Sequence, residues 1–301
     1  MSKVVYEFPN EDMVSCVLLQ RPSAKNKSPY VADIILDKED RIAIAHVPSL
    51  NLGGKCVNGT KCLMKYSRKT TGKKERVGPN EVSKKYGTPK CEFSSCLVNH
   101  KNTWIAAHPK IGEDIASNFL SVGSIYSPVH ESEIVECSRE VSGVAGTNMR
   151  TDFLLKHKDE TYSIVEVKTV VDSDSDQNIL TKEGEGTNCA IFPWGKKNQK
   201  WNGEKVVSAR AIKHVSELTQ IATKEKKDEK YPNIRACVLF IVVRDDCESF
   251  RPHKEACSVF ADTLKNACEK GVKIIAQKVG WEYSKEEEMK GYDKGLIEVI
   301  F

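Results

Sequence analysis

The run Ala236-Cys237-Val238-Leu239-Phe240-Ile241-Val242-Val243 has no charged or strongly polar side chain. A strand wetted on one face alternates apolar and polar residues. An unbroken apolar run therefore reads as a central strand buried on both faces. Val207 to Lys224, before it, reads as an amphipathic helix whose apolar stripe is Val207, Ala211, Val215, Leu218 and Ala222. Arg210, Lys213, His214 and Glu217 form a separate polar stripe on the same helix. After the run, Pro252 opens a helix to about Lys270, Gly271 caps it, and Val272 to Gln277 returns as a strand. Strand, helix and strand then make a right-handed crossover with parallel pairing. Gly295 to Phe301 reads as a last edge strand. The C-terminal part is thus α/β with a mixed sheet.

Two runs upstream carry the chemistry. Arg150-Thr151-Asp152-Phe153-Leu154-Leu155 and Tyr162 to Val171 are rich in β-branched and aromatic residues, and Lys158-Asp159-Glu160 between them is a polar turn. The pattern is that of a β-hairpin. With those three residues as the loop, His157 pairs with Thr161 and Asp152 lies directly opposite Glu166. Alternation puts Glu166 and Lys168 on one face, and directly opposed residues share a face. Two carboxylates and a lysine then converge. A loop of even length would turn Asp152 to the other face, so the convergence depends on register.

Opposed carboxylates repel unless something positive sits between them. A divalent cation with oxygen ligands meets that need, and Mg²⁺ is usually held by one or two carboxylates plus substrate phosphate. An ammonium nearby would orient a water for in-line attack on phosphorus. A salt-bridged Asp–Lys–Glu triad that only spans the sheet is the alternative, and both readings stay open at this point.

The N-terminal part is a series of short strands at about 13–20, 30–37, 41–47 and 62–66 and in a run near 92–107, separated by polar turns. That pattern predicts a small barrel. Tyr66 to Lys90 carries Arg68, Lys69, Lys73, Lys74, Arg76, Lys84, Lys85 and Lys90 against only Glu75 and Glu81. It reads as a mobile basic loop, most often a solvated tether; as a nucleic-acid contact it would act through counterion release. A helix covers about 112–120, and a composition shift at Ser121 to Glu131 places the domain boundary between residues 122 and 123. Further strands follow near 133–141, 150–157 and 161–171, whereas Asp172 to Lys205 reads as a long irregular loop around Ala190-Ile191-Phe192-Pro193-Trp194.

At 301 residues the chain holds two domains of ordinary size, and 40% apolar with 29% charged residues suits a globular protein. No apolar run is long enough to span a membrane, and the N-terminus has no apolar signal core. The 11 cysteines are odd in number and scattered, which predicts free thiols in a reducing compartment, cytoplasmic or nuclear. The formal net charge of +4 permits nucleic-acid binding without demanding it.

Taken in order, several blocks resemble one family. They are Glu140-Val141, Arg150 to Leu155, Val165-Glu166-Val167-Lys168, Phe192-Pro193, Val207 to Leu218, Arg235 to Val243, and Phe250-Arg251-Pro252 through Gly271-Val272. Together they resemble the sugar fermentation stimulation protein A family. The resemblance implies an N-terminal OB-like small β-barrel, residues 1–122. It implies a restriction-endonuclease-like, PD-(D/E)xK α/β domain, residues 123–301. It also implies DNA as partner. In that nuclease pattern Asp152 and Glu166 are metal ligands for Mg²⁺ or Mn²⁺, Lys168 serves the water, Glu140 is the upstream acid, and the Val167 carbonyl adds a ligand. The expected function is a DNA-binding protein with a divalent-metal phosphodiesterase site. The alternative is a non-catalytic DNA-binding or regulatory protein on a nuclease-like scaffold, and a hydrolase of small nucleotides ranks below both.

The chain departs from the family where His46-Val47-Pro48-Ser49-Leu50-Asn51-Leu52 lacks the Asn, Gly and Arg of a His-x-Pro-Asn-x-Gly-Arg motif. The stretches 66–90 and 172–205 are long for the family. Arg150, Arg210, Lys213 and His214 are candidates to contact phosphate beside the acidic site, and Lys73 and Lys74 to contact it from the basic loop. The other use of the helix residues is a solvated face with Glu217 as ion-pair partner. His214 as general base is the weaker role for that residue. Cys56, Cys62, Cys91 and Cys96 have spacings that would suit structural zinc, against the simpler reading of unlinked thiols. Trp104 offers a stacking surface for bases, although a lone Trp more often packs in a core.

Overall fold

The computed structural model describes residues 3–8, 12–48, 52, 55–69, 72–180, 186–284 and 288–301. The chain divides into two compact units. One comprises Tyr6–Ile111 and Gly280–Tyr292, the other Met1–Val5, Gly112–Val279 and Asp293–Phe301. The division therefore falls earlier than the 122/123 boundary expected from composition, and each unit also takes a segment from near the C-terminus.

After β1 (Val4–Glu7), the smaller unit is built from β2 (Met13–Gln20), β3 (Val31–Leu36), β4 (Ile42–His46) and β5 (Lys61–Tyr66). It continues through β6 (Arg68–Lys69), β7 (Gly72–Arg76), β8 (Phe93–His100) and β9 (Thr103–Ala106). The strand order is β4-β3-β2-β5-β8-β9. A parallel pairing of β4 with β8, Ala45 opposite Phe93, closes this sheet into a five-stranded, OB-like barrel. Alternation explains the closure: Cys16, Leu18, Ile34, Met64 and Leu97 are fully buried. Trp104 is half-buried on β9.

The basic stretch 66–90 is not the mobile loop expected. Arg68 pairs with Arg76 in the β6–β7 hairpin, and Val82 bridges Pro89. Arg68, Lys69, Arg76 and Lys90 are matched by carboxylates. Asp12 binds Arg68 and, at 3.0 Å, Arg76, while Lys69 meets Glu75 at 3.1 Å and Lys90 meets Glu81 at 2.5 Å. The side chains of Lys73 and Lys74, and residues Ser49, Leu50 and Asn51, lie outside the described residues.

The four cysteines considered for zinc are unlinked thiols. Burial pushes Cys56 and Cys96 to about 12 and Cys91 to about 11, and a hydrogen bond with Cys16, then burial, raises Cys62. Zinc binds thiolates, which these sites disfavour. Among the described residues no group of three or more His, Cys, Asp or Glu is arranged to hold a metal ion. All the cysteines are free.

The larger unit begins with α1 (Pro109–Phe119) and continues through β10 (Ile134–Ser142), β11 (Arg150–His157), β12 (Tyr162–Val170), β13 (Asp172–Leu180) and β14 (Gly186–Phe192). Next come β15 (Gln199–Trp201), β16 (Glu204–Val206), α2 (Ala209–Ala222), β17 (Ile234–Val242), β18 (Cys247–Pro252) and α3 (Ser258–Glu269). The last strands are β19 (Lys273–Tyr283), β20 (Met289–Leu296) and β21 (Glu298–Val299). Its main sheet runs β10-β11-β12-β17-β19, then β20 and β1. The first three strands are antiparallel and β12, β17 and β19 are parallel, a mixed sheet. The apolar run lies at its centre as β17, with Ala236 to Val243 at most 2% exposed. On one face Ile164, Val238, Phe240 and Val242 pack with Ile212, Val215 and Leu218 of α2 and Phe260 and Leu264 of α3.

Three expectations change here. Asp172 to Lys205 is not irregular: β13 and β14 form a hairpin, β14 runs parallel to β18, and β15 pairs with β16. Its Asp, Ser and Asn residues have poor strand propensity, and pairing of β13 with β14, itself held by β18, overrides it. Pro252 closes β18 opposite Phe192 rather than opening a helix, so α3 starts at Ser258. The C-terminal edge strand is short and belongs to a second sheet, β13-β14-β18-β21. No helix among the described residues is long and apolar enough to cross a membrane.

Candidate functional site

The site forms where β11 and β12 part. Their pairing runs from Lys156–Tyr162 to Phe153–Val165, the register expected from the three-residue turn, and the His157 N–H donates to the Thr161 carbonyl at 2.9 Å. Beyond Val165, β12 keeps its parallel partner β17. Asp152 and Glu166 are the first residues past that last pair. The Val167 N–H donates to Asp152 Oδ2 at 2.7 Å, so the carboxylate takes a donor where the ladder ends. The Thr151 hydroxyl ties the strands one step earlier, donating to the Val165 carbonyl at 3.3 Å.

Glu166 is 1% exposed. Its Oε1 accepts from the Lys168 ammonium and from His214 Nδ1, the latter at 2.6 Å. An ionised carboxylate only accepts, so Nδ1 carries the proton. Glu166 Oε2 is buried with no hydrogen-bond partner. Lys168 Nζ also donates to the Val167 carbonyl at 3.2 Å. These groups border an open cleft of about 250 Å³, with Glu113 of α1 and Arg210 of α2 at its edge.

The two carboxyls are driven apart electrostatically. Burial, then the Glu166 charge, pushes Asp152 up to about 6, against the Val167 N–H and Lys168. Glu113 adds to the upward push. Burial also pushes Glu166 up, but the His214 hydrogen bond and the Lys168 charge outweigh it and hold Glu166 below its usual value. A carboxyl pair split in this way, in a cleft, marks a functional site more often than a structural one.

The structure brings Asp152, Glu166, Val167 and Lys168 together and leaves Glu140 out. Its neighbours Arg139 and Val141 pair with Phe153 and Thr151, so Glu140 stands abreast of Asp152. Its backbone is left-handed, φ 54°, and its carboxylate pairs with Arg150 at 3.1 Å on the exposed surface. Glu140 does not line the cleft, and Arg150 pairs with it at the surface. Glu113 is the further acid that borders the cleft. Sequence reasoning found its helix but had no signal for which strand the helix would meet. Gly112, beside it, packs against Thr169 of β12 so closely that no Cβ would fit.

The polar stripe on α2 is not a solvated face. Arg210 is exposed at the cleft, and Lys213 Nζ reaches the Asn148 carbonyl at 3.5 Å. His214 is 5% exposed and bound to Glu166, so it positions a carboxylate rather than meeting phosphate. Glu217 is buried too, its Oε1 accepting the Asn148 N–H at 3.2 Å.

The donor set suits a hard divalent cation. A buried carboxylate oxygen lacks a partner, a second carboxyl is raised by burial and by its charge, and the Val167 carbonyl shares the Lys168 ammonium with Glu166. Side-chain oxygens alone do not complete a shell, in keeping with cations that retain water and substrate oxygens.

Residues 205–285 match the model for the sugar fermentation stimulation protein RE domain, SfsA. A sugar fermentation stimulation protein homolog of Maricaulis maris is 30% identical over 187 residues, 62% of this chain and 65% of that relative. Another, of Microcystis aeruginosa, is 23% identical over 274 residues, 91% of this chain and 90% of the relative. A solved structure of Pyrococcus furiosus SfsA in complex with Ca²⁺ superposes with a TM-score of 0.64, covering 99% of this chain and 100% of that one at 19% identity. At that identity the likeness speaks to the fold. Family model, relatives and fold agree in likeness to the sugar fermentation stimulation protein (SfsA) family.

Proposed function

We propose that this protein binds DNA and hydrolyses phosphodiester bonds with a divalent cation, Mg²⁺ or Mn²⁺, held by Asp152 and Glu166. The buried, unpartnered Oε2 of Glu166, on a carboxylate whose charge raises Asp152, carries this reading. The Ca²⁺ in the P. furiosus SfsA structure supports a divalent ion in this fold. When bound, such a cation polarises a phosphoryl oxygen and acidifies water. The chain's own residues do the rest. His214 and Lys168 fix one oxygen of Glu166 and leave the other without a partner. The Val167 N–H orients Asp152. Lys168 supplies donors that hold a water beside both carboxylates, and Arg210 draws a phosphate to the rim. The Val167 carbonyl is a further oxygen donor.

One observation favours a second reading, a DNA-binding protein without catalysis. Lys168 is engaged by Glu166 and the Val167 carbonyl, as in a closed salt bridge. Labelled single-stranded and duplex DNA incubated with Mg²⁺, Mn²⁺ or EDTA decides between them. Metal-dependent cleavage is expected, lost in Asp152→Asn and Lys168→Ala with binding largely kept. Cleavage at the wild-type rate in either variant overturns the site. Salt-sensitive binding with no cleavage under any metal establishes the second reading.

A further inference from the structure

The connection from β14 to α2 carries an exposed aromatic ring on a buried base. Trp194 is 54% exposed, yet its ring lies flat on the imidazole of His253, with centroids 5.1 Å apart and planes 9° apart. His253 is 6% exposed, and its N–H donates to the Phe192 carbonyl at 2.8 Å. One face of the indole is thus backed by a fixed ring and the other is open to solvent.

This stack stands beside the carboxylate cleft. Phe192, two residues earlier, lines the cleft, as does Ser208. Gly195 packs against Val207, where a Cβ would sit 3.3 Å from Cγ1, so the segment runs along the cleft's own border. Lys196, Lys197, Lys200 and Lys205 follow, all exposed, with Glu204 the only acid among them. Among the described residues none of these lysines has an ion-pair partner, unlike Arg68, Lys69, Arg76 and Lys90 of the 66–90 stretch. The β15–β16 hairpin that carries Lys200 and Lys205 is tied to α2, Gln199 Oε1 accepting the Ala209 N–H at 2.9 Å.

A flat ring with one open face, surrounded by uncommitted ammonium groups, recognises an unpaired base and its phosphates. Bases inside a duplex already stack on each other and cannot cover it. We infer that Trp194 stacks on a base of single-stranded DNA whose backbone passes over Lys196, Lys197 and Lys200 toward Asp152 and Glu166. The inference rests on the reading of the cleft as a DNA site and names the form of DNA it takes.

The test is fluorescence anisotropy with labelled oligo(dT) and with a duplex of equal length, in EDTA so that binding is read without cleavage. Trp194→Ala is expected to weaken oligo(dT) binding by about tenfold, the size of one stacked base, and to leave duplex binding unchanged. Trp194→Phe keeps most of the affinity. Trp194→Leu covers His253 without offering a flat ring and loses affinity as Ala does, which separates stacking from support of the fold. Wild-type affinity in Trp194→Ala, or an equal loss for duplex, overturns the inference even if the wild type cleaves DNA. A wild type that binds neither probe overturns this inference and the DNA reading together.

Discussion

Asp152 and Glu166 show how two like residues acquire opposite behaviour from their neighbours. Glu166 has two cationic or donor partners on one oxygen; Asp152 has one N–H and faces two acids. Its carboxyl titrates at about 6 in the fold against 3.8 when unperturbed. Between those values the folded protein holds a proton that the unfolded chain has released, so stability falls as pH rises through this window. Above pH 6 the charge on Asp152 costs about 1–3 kcal/mol. Asp152→Asn, which still accepts the Val167 N–H, is expected to raise the melting temperature by a few degrees at pH 7.5 in EDTA, with the gain vanishing near pH 4. A lower melting temperature at neutral pH would show instead that the charge is favourably compensated. The trio Asp152, Glu166 and Lys168 was legible in sequence because strand alternation and turn length are local rules. Glu140 was misplaced by one left-handed residue, which no composition signals. His214 and Glu113 reach the site through tertiary packing, so periodicity could find their helices but not their partners.

At the scale of elements, β2, β11 and β17 follow from apolar patterning, and β13 and β14 do not. Asp172-Ser173-Asp174-Ser175 is a strand because Ile191 and its neighbours in β14 need an antiparallel partner, a requirement that lies elsewhere in the chain. Pro252 misled for a related reason: without an N–H it starts helices readily, yet it equally ends a strand whose ladder has finished. The placement of α1 is set by Gly112, which lets the helix approach Thr169 on the face of β12 opposite to Glu166. Gly112→Ala is expected to push the helix outward, cost about 1–3 kcal/mol in urea unfolding, and weaken Mn²⁺ binding because Glu113 moves with it. Unchanged stability and Mn²⁺ titration would mean that α1 has room to settle farther from the sheet.

At the scale of the whole molecule, the barrel unit and the α/β unit each use chain from both ends of the sequence. The sheet of the larger unit continues past β19 to β20 and β1. A chain cut after Val279 loses β20 and the end of β19, and leaves the rest of β19 paired with β17 on one side and open on the other, a template for association between molecules. Such a truncation is expected to pellet on ultracentrifugation, and a soluble product with a cooperative melt would show that the remaining strands suffice. The division of the chain also has a temporal meaning. Segment Gly280–Tyr292 belongs to the barrel unit and Asp293–Phe301 to the other. Translation proceeds at about 5–20 residues per second. For many seconds after Ile111 has emerged, the nascent barrel still lacks a piece that has not been synthesised, so neither unit finishes folding on the ribosome ahead of the other.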